Sequence, residues 1–166
     1  MSVGCEARYI TTAYCLRLLW DRIYEGWSKS ASDQGVTVTE EQVLWAIWLM
    51  GCGTVTEVAR RLRRDKGTIS KCVYSLEESG LIIRKAGPDR RSYVFELSPE
   101  GDRVRLGLAK AHGRHSVVYR ALARLDEEEQ EALLRIILKV LADVEGETYM
   151  ENVVRALSAI GRVSRE

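Results

Sequence analysis

Lys66, Thr68, Ser70, Lys71 and Tyr74 fall within nine residues and combine two cations with three hydroxyls. Side chains of these types pair with phosphate and hydrogen-bond to the edges of bases. Arg60, Arg61, Arg63 and Arg64 come just before them. Arg90 and Arg91 follow further on, beside Asp89. From Val58 to Arg91, ten Lys/Arg stand against four Asp/Glu, a charge of +6. The whole chain carries only +1, so the remainder sums to −5. One basic module on a balanced chain points to a local polyanion site, most simply DNA.

Other chemistries find no support. No nucleophile is paired with a base, and there is no phosphate loop, so an enzyme is not expected. Cys5, Cys15, Cys52 and Cys72 form no C-x-x-C pair, and His112 and His115 have no thiols near them. Neither a zinc site nor a cofactor is expected. The thiols are expected to be reduced and partly buried, as in a cytoplasmic protein. No apolar run approaches the ~20 residues of a membrane span, and the first residues lack the order of a signal peptide.

The basic stretch needs elements to hold it. Asp65 is placed to cap a helix from Lys66 to Ser79, with Ile69, Val73 and Leu76 as its inward stripe and Gly80 as its stop. The stripe leaves Lys66, Gly67, Thr68, Ser70, Lys71 and Tyr74 towards solvent. Thr54 and Glu57 form a capping box that opens a short helix before it, with Val58, Ala59 and Leu62 inward. Leu81–Arg84 and Ser92–Leu97 read as strands, joined by a hairpin loop over 85–91 with Gly87, Pro88 and Asp89 as turn formers. Two helices followed by a basic hairpin make a helix-turn-helix with a wing.

The flanks read as helices. The first runs from about Cys5 to Ser28 and is followed by a polar loop over 28–38. Thr39 to Gln42 reads as a capping box for an apolar central helix that stops at Gly51–Gly53. Ser98 and Pro99 start a helix that reaches about Leu125, with Gly113 as the place for a bend. Asp126 and Glu129 cap the next, whose stripe is Leu133, Ile136, Ile137, Val140 and Leu141. Gly146 breaks it, and a last amphipathic helix spans about Thr148 to Val163. The fold class is mainly α with a small β-hairpin wing. The expected parts are a first dimerisation helix and loop (1–38), a winged helix-turn-helix (39–97) and C-terminal dimerisation helices (98–166).

In this frame the helix from Lys66 would enter a major groove. The expected DNA contacts are Arg63, Arg64, Lys66, Thr68, Ser70, Lys71 and Tyr74, with Arg90 and Arg91 reaching a minor groove. Asp89 has the wrong sign to touch DNA and is expected to brace a neighbouring arginine. The arginines of the preceding helix point around its axis, so about half of them are expected to be plain solvated side chains. The end helices carry wide apolar stripes around a small module, which a second copy would cover.

At these residues the chain resembles the MarR family of winged-helix transcription regulators. The likeness rests on Thr39–Leu44, Glu57–Leu62, Gly67–Lys71 with Leu76–Leu81, Asp89–Arg91 and Leu97–Gly101. Within the family it looks most similar to the repressors of extracellular protease production and sporulation in spore-forming bacilli, through Leu19–Trp20, Trp27, Val43–Trp45 and Tyr149–Glu151. The resemblance implies an obligate homodimer with intertwined end helices on double-stranded DNA, and a repressor. It also implies that Arg91 enters the minor groove with Asp89 bracing it. Gly67 stands where many relatives carry a side chain.

Many relatives answer to a small aromatic effector, for which Trp20, Tyr24, Trp45 and Trp48 are candidate pocket walls and hydrophobic core the stronger reading. A peroxide-sensing branch makes Cys15 a candidate thiol, although the tyrosine that branch carries after the capping threonine is Glu40 here. A non-specific architectural DNA binder on the same fold is the remaining alternative.

Overall fold

The computed structural model describes residues 3–87, 92–147 and five positions between 150 and 158. The elements in order are α1 (Val3–Asp33), α2 (Val38–Met50), α3 (Val55–Leu62), α4 (Lys66–Glu78), β1 (Ile82–Ala86), β2 (Tyr93–Leu97), α5 (Pro99–His115), α6 (Val117–Leu122) and α7 (Glu127–Glu145). They form two compact units, residues 1–120 and 121–166.

The core of the first unit lies among α2, α3, α4, the hairpin and the first half of α5. Val43, Leu44 and Ile47 of α2, Val58 of α3 and Ile69 and Leu76 of α4 are essentially sealed from water. Phe95 of β2 and Leu108 of α5 close it from the other side. Strands β1 and β2 pair antiparallel, with Ile82 opposite Leu97 and Ala86 opposite Tyr93. Gly53 adds a short third pairing, since its N–H and C=O both bond Phe95 of β2 (3.1 and 2.9 Å).

Four boundaries differ from the sequence reading. First, α1 continues through the stretch read as a loop, and only 34–37 turn the chain. Ser30 donates its hydroxyl to the Gly26 carbonyl (2.9 Å), so it needs no loop to satisfy it. Ser30 and Ala31 are fully buried, and a Cβ on Gly26 would stand 3.1 Å from Ser116 Cα. These small residues mark where α1 packs on α5. Second, the cap of α2 is Thr37 rather than Thr39. Glu40 accepts from the Thr37 N–H (2.8 Å) while its own N–H bonds the Thr37 hydroxyl (3.2 Å). The earlier start brings Val38 into the core. Third, β1 is displaced towards the tip, so Lys85 and Ala86 belong to it rather than to the loop, while β2 starts one residue later, at Tyr93. Fourth, the long helix after Pro99 breaks at Ser116, not Gly113. Ser116 is extended, and its hydroxyl accepts the Tyr119 N–H (3.1 Å) to open α6. The expected last helix, Thr148 to Val163, falls mostly outside the described residues.

The caps at Thr54, Asp65, Ser98 and Asp126 stand where the sequence places them. Gly80 follows α4 with φ of 69°.

The apolar stripe of α1 is exposed from Tyr9 to Tyr24, with Tyr14 at 64 %. In the second unit α7 buries no residue, and Ile136 is 59 % exposed. Among the described residues, neither face finds cover.

Candidate nucleic-acid interface

The turn between α3 and α4 sets the face that α4 presents. Arg63 closes α3 in the left-handed conformation (φ 51°), an unusual place for a side chain other than glycine. Arg64 follows, and Asp65 starts α4 by accepting the Thr68 N–H at 2.8 Å. Hydrogen bonds from the Thr68 hydroxyl and its N–H hold the Asp65 carboxyl below the usual carboxylate range. Ile69, Val73 and Leu76 are buried, which fixes the rotation of α4 about its axis.

That rotation leaves Lys66, Thr68, Ser70, Lys71 and Tyr74 exposed on one face, with Arg63 and Arg64 exposed at its N-terminal end. The free N–H groups and dipole of this helix end favour phosphate, while the first two turns carry polar groups of base-reading type. Two hydroxyls are already engaged. Thr68 donates to Asp65, and Tyr74 donates to Glu78 Oε1 (2.8 Å). The Glu78 carboxylate also pushes the Tyr74 phenol up, so it stays protonated. Both oxygens keep lone pairs and can act as acceptors.

The hairpin follows at the other end of α4. Gly87 N–H bonds the Ser92 carbonyl (2.9 Å), and Lys85 pairs with Glu96 across the strands (2.5 Å). Arg84 reaches back to Glu77 of α4 (3.1 Å). The tip residues Asp89, Arg90 and Arg91 lie outside the described residues.

The candidate effector residues sit in two aromatic groups. Trp20 lies 6.4 Å from Tyr24 and 5.5 Å from Trp27, whose ring stacks on His112 at 5.4 Å. Trp45 and Trp48 meet edge to face at 5.6 Å, and the Arg105 guanidinium covers both rings at 4.8 and 4.1 Å. Arg105 is only 3 % exposed and bonds Asp102 through Nε (2.9 Å) and Nη2 (2.6 Å). An open cleft of about 520 Å³ borders Tyr24 with Ser28 and Thr37, and another of about 480 Å³ borders Trp48 with Glu96 and Pro99. Neither brings the four aromatic residues together.

Two ties between helices have no signal in the sequence. His115 Nε2 meets Asp33 of α1 at 2.6 Å. His112 Nε2 lies 2.8 Å from the buried Glu41 of α2, a close contact without hydrogen-bond alignment. Cys5 and Cys15 are exposed on α1, and Cys52 is exposed after α2, against the expectation of partly buried thiols; only Cys72 is half-buried. Burial, with the nearby Glu40 charge, pushes the Cys72 thiol up. Among the described residues no group of His, Cys, Asp or Glu could hold a metal ion, and no helix is long and apolar enough to cross a membrane.

Residues 36–93 match the MarR family. This winged helix is a MarR-family module. It holds α2 to α4, β1 and the first residue of β2, and so the whole exposed face of α4. The chain is 26 % identical over 113 residues to the uncharacterized HTH-type transcriptional regulator YkoM of Bacillus subtilis (strain 168), covering 67 % of this chain and 71 % of that protein. It is 25 % identical over 113 residues to the HTH-type transcriptional regulator Hpr of Exiguobacterium sibiricum, spanning 67 % of this chain and only 60 % of that protein. Among solved structures, a mutant MarR from E. coli complexed with operator DNA is similar in fold, with a TM-score of 0.65 and 20 % identity. That likeness covers 85 % of this chain and 99 % of the other. The MarR-family module thus sits within a fold shared well beyond its own limits.

Proposed function

We propose that this chain is a homodimeric, sequence-specific transcription regulator that acts as a repressor. In this reading α4 enters the major groove of a pseudo-palindromic operator and the hairpin reaches the flanking minor groove. The observation that carries it is the face of α4. A buried stripe turns Lys66, Thr68, Ser70, Lys71 and Tyr74 outward together, behind Arg63 and Arg64. The names of the relatives and the operator-bound MarR of like fold support the same reading.

The uncovered stripes of α1 and α7 support the dimer. A two-fold pair presents two copies of α4, which suits half-sites about one helical turn (~34 Å) apart.

Selection of bound fragments from random duplex DNA tests the proposal. The expected product is an inverted repeat with half-sites about 10 base pairs apart, centre to centre. Enrichment of no motif, with equal retention of every duplex, would replace the proposal with non-specific architectural binding.

A further inference from the structure

The hairpin is anchored firmly at its base and weakly beyond it. At the base, Phe95 pairs with Gly53, Ser98 N–H bonds the Leu81 carbonyl (3.1 Å), and the Ser98 hydroxyl donates to the Gly80 carbonyl (2.6 Å). Ile82 is buried, but the next four residues of β1 are all exposed. Across from them Tyr93 is exposed too. Phe95 is the last buried residue of the ribbon; beyond it the two strands have no buried face, and such a ribbon twists easily and is marginal by itself. Something must set its angle to α4.

Arg84 has the geometry to do so. It stands opposite Phe95 in the register, with Tyr93 diagonal to it. Its guanidinium lies 4.9 Å from the centre of the Tyr93 ring and 5.6 Å from that of Phe95. Its Nη2 meets Glu77 Oε2 in the last turn of α4 at 3.1 Å. Two rings and a carboxylate therefore hold one planar group, and that group spans from the hairpin to α4. The side chains are 45 % and 30 % exposed, so the pair adds little to folding stability. It restricts direction instead.

We infer that the Arg84–Glu77 pair is a positioning device: it fixes the hairpin relative to α4, so that both reach their grooves in one docking. The inference rests on the DNA reading above. The sign of its effect is distinctive. Glu77 carries negative charge on the element that would enter DNA, so removing it should tighten binding by simple Coulomb attraction. The positioning role predicts the reverse.

The test uses the full-length chain and the duplex enriched by selection. Glu77→Ala and Arg84→Ala are each expected to weaken binding about threefold to tenfold, and the double variant to be no weaker than Arg84→Ala alone. Footprints of both should lose protection in the flanking minor grooves and keep it where α4 docks. Thermal midpoints should stay near wild type, which separates positioning from folding. Arg84→Lys, which keeps the charge but not the flat face, should recover part of the flanking protection. Unchanged or tighter binding by Glu77→Ala, with flanks protected, would overturn the inference. So would weakening by Arg84→Ala alone together with a lower salt slope, since Arg84 would then touch phosphate itself. Both results leave the DNA reading standing, whereas a wild-type chain without sequence preference ends that reading and the inference together.

Discussion

Replacing Gly101 by alanine sets two effects against each other. Gly101 lies in the first turns of α5, where alanine is the better helix former by about 1 kcal/mol. Yet a Cβ placed there would stand 1.9 Å from the Leu81 carbonyl oxygen and 2.9 Å from its carbon. No flexible side chain can yield, because the obstacle is backbone. That carbonyl also accepts the Ser98 N–H, and Ser98 is buried at the joint between hairpin and α5. Relief requires α5 or the base of the hairpin to move by about 1 Å, an overpacking that costs about 1–3 kcal/mol. Sterics should win: at 1.9 Å from a backbone oxygen the cost belongs in the upper half of that range, for a net loss of about 1–2 kcal/mol. Gly113 is the matched control. A Cβ there meets the Tyr119 ring at 3.6 Å, an ordinary contact, so Gly113→Ala should gain up to about 1 kcal/mol. Urea unfolding followed by circular dichroism, at one fixed protomer concentration, measures both. Equal or greater stability of Gly101→Ala would refute the close approach on which this joint is built.

The remaining predictions concern the DNA face and acid. Lys71→Ala should cost about 1–3 kcal/mol on the selected duplex and little on random DNA, whereas Arg64→Ala should weaken both alike and lower the salt slope by about one. These are read by titrations at several salt concentrations. Tyr74→Phe should relax preference at one position per half-site without changing the salt slope, because its hydroxyl is committed to Glu78 and can only accept. Repeating the selection with this variant checks it. In acid, three cap carboxylates matter. Burial pushes Glu40 up, but hydrogen bonds from Ser75 and Thr37 outweigh it, while Thr54 lowers Glu57 and Thr68 lowers Asp65. All three end below their ordinary values, so their stabilisation is complete above the ordinary carboxylate range and fades as pH falls through the lowered values. An acid titration of helicity should fall there, and Asp65→Asn should shed its share of that slope while keeping its cap.

The local chemistry of the module is legible because it depends on neighbours in the chain. Asp65 with Thr68, Thr54 with Glu57, Ser98 with Pro99 and the stop at Gly80 each declare themselves within four residues. The three-and-four spacing of Ile69, Val73 and Leu76 is enough to orient α4. Sequence and structure part where one pattern serves two purposes. Ser30 and Ala31 look like a loop because they are small, and they are small because α1 meets α5 there. Thr37 and Thr39 both open a capping box, and only burial of Val38 decides between them. Glu41 against His112, Arg105 over Trp45 and Trp48, and Arg84 against Glu77 are beyond reach of the sequence. Each joins different elements, and each charged residue alone reads as a solvated side chain. Arg105 has a near-sequence partner in Asp102, but nothing local foretells its burial against tryptophans.

The central claim is that the face of α4, from Lys66 to Tyr74, reads sequence. Its most direct test is to titrate the full-length protein, at one salt concentration near physiological, with the selected duplex and with a scrambled duplex of the same length and composition. The selected duplex is expected to bind roughly 10³-fold or more tightly. Equal affinities for the two would mean that this face holds phosphate alone, and would contradict that claim.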